Sequence, residues 1–323
     1  MGKIMTESLP VVLEQPIPAK RRSFWRTMFL QRYLLLMTVP FVIWALVFSY
    51  GPLWGWIMAF QKYKLGLGIW HSPFVGFENF KELFKDDDFY PALRNTLFMA
   101  VMNLITGFVG AIVLALMLNE VKNKLFKRTI QTITYIPHFV SWVVIANIVI
   151  TFLSPDGGMI NAFLMKLGFI HEPIYFMTKP GYFWYIQTAA NLWKEIGWST
   201  IIYLAVLASL NPEHYEAAEI DGASRFQKMR YISLPGIMPT AFLLLIMSLG
   251  WLIQGGYESQ YLLGNDVVSG RSEVLDLYAL RYSTEIGDFS YGVAISIFKS
   301  AVSILLVVSV NLLARKTQQS RLF

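Results

Sequence analysis

Long runs without a charged side chain alternate with short polar connectors along this sequence. Residues 33–61, 95–119, 129–155 and 231–257 contain no Asp, Glu, Lys or Arg. Each exceeds the about 20 mostly apolar residues that a helix needs to cross the hydrocarbon of a bilayer. Two further runs are interrupted, 181–212 by Lys194 and Glu195, and 289–314 by Lys299. The pattern predicts an all-α integral membrane protein with six spanning helices, at about 33–61, 95–119, 129–155, 182–210, 236–257 and 290–314. Pro40, Pro52 and Pro137 fall inside or at the ends of spans, where neighbouring helices can satisfy the freed carbonyls.

Composition agrees with lipid as the main solvent. The 323 residues are 55% hydrophobic and 15% charged, with a mean hydropathy of +0.48. Lys20, Arg21 and Arg22 precede the first run as they would in a secretory signal, but the run is far longer than an apolar signal core of about 7–15 residues. It is expected to stay as an anchor.

Orientation follows from basic residues, which are retained on the cytoplasmic side. With both termini inside, the inner segments hold 16 of the 27 Lys and Arg and the longer outer loops hold nine. Residues 1–32 and 315–323 are then cytoplasmic tails, and the connector around Arg225 faces the cytoplasm. The net charge of +6 sits mostly at the ends of apolar runs, so membrane orientation accounts for it and nucleic acid does not.

There is no cysteine, and His71, His138, His171 and His214 are too far apart for a metal-ligand spacing, so no metal site is expected. Asp86, Asp87 and Asp88 resemble the aspartates that hold metal–nucleotide complexes in some glycosyltransferases. Here they fall in an outer loop, and solvated loop charge explains them better.

The connector 211–235 is the most patterned polar stretch. Asn211 can cap a helix whose first residue is Pro212, and Glu213 suits the positive end of its dipole. That helix should run to about Asp221, with Gly222 supplying the left-handed residue that closes it. Ser224 and Gln227 fit a capping box, so a second short helix should start there and end at Leu234–Pro235. Tyr215, Ala218, Gly222, Phe226 and Met229 recur at intervals of three or four, an apolar ridge flanked by charge.

Glu216, Ala217, Ala218, Gly222, Ile232, Leu234 and Pro235 resemble, at their spacing, the EAA loop of binding-protein-dependent ABC importer permeases. The loop lies between the fourth and fifth spans here, between helices 5 and 6 of the family-type core. The resemblance implies that the ridge is a coupling helix docked on a cytoplasmic ATPase, with Glu216, Ala217, Ala218, Asp221, Gly222, Phe226, Ile232, Leu234 and Pro235 as coupling residues. Shorter segments, "VGFENF", "NTLFMA", "GGMIN" and "WKEIGW", are similar to carbohydrate-type permeases. The stretch from Gly287 to Lys316 resembles permeases that import oligosaccharides from extracellular polysaccharides, including acidic ones of the pectin and alginate kind.

The chain has no G-x-x-x-x-G-K-[ST] loop, so ATP and Mg would be used by separate subunits and no catalytic residue or cofactor is assigned to this one. The family implies a second, related permease, two ATPase subunits, an external solute-binding protein and an oligosaccharide cargo, assembled in the bacterial cytoplasmic (inner) membrane as a multi-pass complex. For the substrate pathway, Gln187, Asn191, Lys194 and Trp198 form one stripe of the fourth span, with Trp193 and Glu195 beside it. Ionisable groups inside a span normally face a cavity or a partner. Two readings stay open for Lys194 and Glu195: lining the pathway, or a structural pair that fixes helix packing. Lys299 has the same two. A membrane glycosyltransferase would need a catalytic carboxylate or metal site near a membrane face, and an ion-coupled secondary transporter could use Glu195 as its ion site.

Overall fold

The computed structural model describes residues 30–250 and 256–316. Most of the tails expected at 1–32 and 315–323, and part of the fifth span expected at 236–257, lie outside the described residues. Two compact units divide the chain, residues 1–55 and 56–323.

In the first unit, α1 (Arg32–Trp44) continues into a wider π-helical turn, Ala45–Tyr50. That turn precedes Pro52, whose ring would press on the carbonyl of Phe48 in a regular helix. The helical run Arg32–Phe60 carries no charged residue after Arg32, and none of its apolar window is buried.

In the second unit, short helices α2 (Gly68–His71) and α3 (Glu78–Leu83) lead to the long α4 (Phe89–Asn119). Then come α5 (Lys124–Phe139), α6 (Trp142–Leu153) and α7 (Met159–Lys166). The 30-residue α8 (Pro180–Ser209) follows, long enough at about 1.5 Å per residue to cross a bilayer. Next are α9 (Pro212–Ile220), α10 (Arg225–Lys228) and α11 (Leu234–Gly250). The chain closes with α12 (Glu258–Leu263), α13 (Ser269–Ser272), α14 (Leu275–Arg281) and α15 (Phe289–Lys316). No strand forms among the described residues beyond one isolated bridge between Gln61 and Phe74.

The scaffold is the pair α4 and α8, which pack along their lengths. Ala111 and Ala115 let α4 approach Tyr203 and Leu207 of α8, while Ile237 and Ala241 of α11 complete that core. Small residues at contacts suit helices in lipid, where close packing replaces the hydrophobic drive available in water. Four helical runs among the described residues are long and apolar enough to span, and α5 with α6 makes a fifth if a bent pair counts as one.

Within the span expected at 129–155 the helix is not continuous: α5 and α6 meet at 109°. Pro137 contributes no amide proton, and Val140 and Ser141 adopt extended backbone before Trp142 restarts the helix. A correction concerns the helix expected to stop at Leu234–Pro235. α10 runs through a π-helical turn, Met229–Ser233, directly into α11. The wider turn accommodates the ring of Pro235 without breaking the helix.

Asp86 is also not a solvated loop charge. It accepts hydrogen bonds from the hydroxyls of Tyr278, Tyr282 and Tyr291, the latter two at 2.9 Å, and so ties the start of α4 to α14 and α15. Burial alone would raise its pKa, but the Tyr278 hydroxyl, the Asp88 amide and the other two hydroxyls outweigh that and hold it below the usual value.

Candidate functional site

A cavity of about 550 Å³ opens between α4, α8, α11 and α14. From the expected stripe on α8 it collects only Asn191 and Trp198; Glu195, beside that stripe, lines it with them, at steps of four and three along the helix, while Gln187 and Lys194 do not. Trp198 remains 47% exposed, and its ring stacks on His138 at 4.5 Å between centroids with 2° between planes. His138 also bonds Glu195 through Nδ1 at 2.7 Å. Glu195 therefore reaches a group on a neighbouring helix.

The other candidates lie elsewhere. Gln187 is buried behind the cavity wall, accepting from the Asn103 amide at 3.3 Å and donating to Ser259 at 3.1 Å. Ser259 in turn donates to Gln260 at 2.8 Å, so an amide–hydroxyl chain joins Asn103 and Gln260, both of which face the cavity. Trp193 is 43% exposed and does not line the cavity.

Lys194 is buried and turned away from the cavity. Its ammonium donates to the carbonyls of His138 and Val140 at 2.7 Å each and of Pro137 at 3.3 Å. Glu195 lies 3.9 Å from it, so the backbone carbonyls, not the neighbouring carboxylate, are its main partners. Lys299 donates to both carboxylate oxygens of Asp276, at 2.5 and 2.6 Å, and Asp276 lines the cavity. Lys194 of α8 and Lys299 of α15 are thus both occupied by groups of this chain.

Asn103, Gln260 and Asp276 carry no mark in the sequence reading. Asn103 could have been singled out as an amide in the middle of a charge-free run. Asp276 gives no such cue, because its partner Lys299 is 23 residues away on another helix.

On the connector 211–235, the local geometry forms as the sequence predicts. Asn211 caps α9 by accepting from the Glu213 amide at 3.1 Å, Pro212 is its first residue, and Gly222 follows in a left-handed conformation at φ 74°. Ser224 and Gln227 bond reciprocally at 3.3 and 2.7 Å. The Tyr215 hydroxyl meets that of Ser233 at 2.9 Å, and Lys228 meets Glu219 at 2.5 Å, pinning α9 to the helix that follows. The Lys228 contact holds the Glu219 carboxyl below its usual pKa. The apolar ridge is split, however. Tyr215, Ala218 and Met229 turn partly inward, whereas Phe226 stays exposed and is joined at the surface by Ile220, 88% exposed and outside the expected set. Glu216, Ala217, Asp221 and Pro235 are exposed, and Ile232 and Leu234 are half-buried.

Residues 90–319 match the sequence pattern of the binding-protein-dependent transport system inner membrane component. The chain belongs to that family. It is a membrane component of a transport system, not an enzyme. It is 38% identical to protein LplB of Bacillus subtilis (strain 168) over 98% of this chain and 100% of that one. It is 41% identical to the polygalacturonan/rhamnogalacturonan transport system permease YteP of the same organism, over 92% of each. Among solved structures, it resembles a chain of a bacterial ABC transporter involved in import of the acidic polysaccharide alginate, with TM-score 0.82 and 37% identity, over 90% of this chain and 98% of that one. A chain of the bacterial alginate transporter bound to a periplasmic protein carrying an alginate pentasaccharide gives TM-score 0.83 and 36% identity over 93% and 99%.

Proposed function

We propose that this chain is one permease subunit of an ATP-driven importer and forms half of the membrane pathway for an oligosaccharide. The observation that carries the reading is the cavity wall on α8, where an exposed indole, an amide and a carboxylate stand together. An aromatic ring suits the apolar face of a sugar. Amide and carboxylate groups meet its hydroxyls, whose unmet hydrogen bonds would cost about 1–3 kcal/mol each. The relatives named for polygalacturonan and alginate support a cargo from acidic polysaccharide.

In this reading α8 and the bent α5–α6 pair join the four apolar runs to give six spans with both termini in the cytoplasm of a bacterial cell. A second permease completes the pathway, a solute-binding protein delivers cargo from outside, and two ATPase subunits consume ATP and Mg on the inner face. The segment of α9 and α10, with Glu216, Ala217, Ala218, Asp221, Gly222, Phe226, Ile232, Leu234 and Pro235, docks on an ATPase. Closure of the ATPase pair then favours one conformation of the bundle, because only contacts that differ between the states can shift their populations.

Uptake of labelled oligogalacturonate into sealed vesicles carrying the assembled complex tests the proposal. Transport is expected to require internal ATP and external binding protein and to survive an uncoupler. Uptake that collapses with the proton gradient and ignores the binding protein would instead favour an ion-coupled carrier with Glu195 as its ion site.

A further inference from the structure

We infer that Lys194 is a positioning residue for the substrate pathway: by holding the carbonyls at the break between α5 and α6, it sets His138 against Trp198 and Glu195 at the cavity. A helix end leaves its last carbonyls without intrahelical partners, and water cannot satisfy them inside a membrane. At this break Val140 returns one amide to the Pro137 carbonyl at 3.1 Å. Lys194 adds three more bonds from the side of α8, reaching the carbonyls of Pro137, His138 and Val140 with its three protons. An ammonium is all donor, so it suits a cluster of acceptors that no neutral side chain of similar length would serve. Trp142, which restarts the helix, has its ring 5.9 Å from the same nitrogen, so the cation contacts both sides of the break.

The neighbours of Lys194 on α8 hold the same segment. Glu195 bonds the His138 ring, Trp198 stacks on it, and Gly197 admits the α5 backbone so closely that a Cβ there would lie 2.0 Å from the Thr134 carbonyl oxygen. The backbone of His138 is thus fixed by Lys194, and its ring by the two residues that face the cavity. Displacing the backbone displaces the ring that braces both Glu195 and Trp198.

The inference rests on the importer reading, and the test separates the two. In the purified complete transporter in proteoliposomes, Lys194→Met keeps an unbranched chain one atom shorter and removes every donor. It is expected to raise the half-saturating concentration of oligogalacturonate by roughly tenfold, the size of one misplaced hydrogen-bonded contact, with a much smaller change in maximal rate. In a His138→Ala background the same substitution should add less than about twofold, since its effect passes through His138. An active Lys194→Met complex with an unchanged half-saturating concentration, or effects that multiply across the two backgrounds, would overturn the inference while leaving the importer intact. Should Lys194→Met fail to assemble, Lys194→Arg, which keeps charge and donors but moves them, is read in the same cycle against the same outcomes. Absence of ATP-dependent uptake in the unsubstituted complex would remove the importer reading itself.

Discussion

The connector 211–235 and the junction of α5, α6 and α8 are both places where a helix ends, and they solve that problem at different ranges. On the connector, Asn211, Gly222, Ser224 and Gln227 satisfy ends that lie within three residues of them. At the junction, the carbonyls of Pro137, His138 and Val140 are satisfied by a side chain 54 to 57 residues later in sequence. The first solution works in water and survives exposure. The second works only if α8 is already packed against α5, so loss of the packing and loss of the hydrogen bonds should occur together.

Two glycines give the strongest test of the contrast. Gly197→Val would drive a side chain into the Thr134 carbonyl and should prevent recovery of a monodisperse, folded permease after detergent extraction. Gly222→Ala meets nothing within 4 Å and strains only a positive φ, a cost of about 1 kcal/mol. It should leave extraction and thermal melting nearly unchanged. Equal yields for the two variants would erase the distinction between the regions.

Next in size is a loss confined to the connector. Phe226→Asp and Ile220→Asp place charge on exposed apolar side chains that the permease core does not use. Each is expected to lower cargo-stimulated ATP hydrolysis by the reconstituted complex at least about tenfold, the scale of a well-packed interface contact, while the melting profile of the permease stays put. A melting shift as large as the activity loss would mean that these residues stabilise this chain instead of gripping another. Ser224→Ala removes one half of the capping box and should cost about 1 kcal/mol locally. Faster amide exchange at Gln227 and its neighbours, with none at 137–142, would register it.

The smallest expected effect is electrostatic. Glu219 is exposed, and its carboxyl is held low mainly by the hydrogen bond from Lys228. A depressed carboxylate pKa adds stability above the ordinary carboxylate range and loses it as pH falls through the folded-state value. Exchange protection across 212–228 should therefore weaken slightly on acidification, and more salt should have a similar small effect.

Those ranges also explain what could be read from the sequence. The caps of α9 and α10 depend on neighbours along the chain, so Asn211, Ser224 and Gln227 announce them. The existence of long apolar helices was equally plain from charge-free runs. Pro137 marked the place where 129–155 bends, but a proline inside an apolar run is compatible with a mild kink, and nothing nearby in sequence discloses a turn of 109°. Lys194 and Glu195 were visible as costly charges within a span. Their separate partners, backbone carbonyls for one and an imidazole for the other, depend on which face of α8 meets α5. Asp86 misled for the same reason: its tyrosines lie 192 to 205 residues away.

The uninterrupted run from Arg225 to Gly250 has a mechanical consequence. At about 1.5 Å per residue, the 23 steps from Arg225 on the connector to Ser248 in the cavity wall make a strut of roughly 35 Å. A strut without a joint converts angle into distance, so a tilt of about 10° would sweep one end by roughly 6 Å relative to the other, comparable to the width of a sugar ring. Had the chain stopped and restarted at Pro235, the same push would have been absorbed at an elbow.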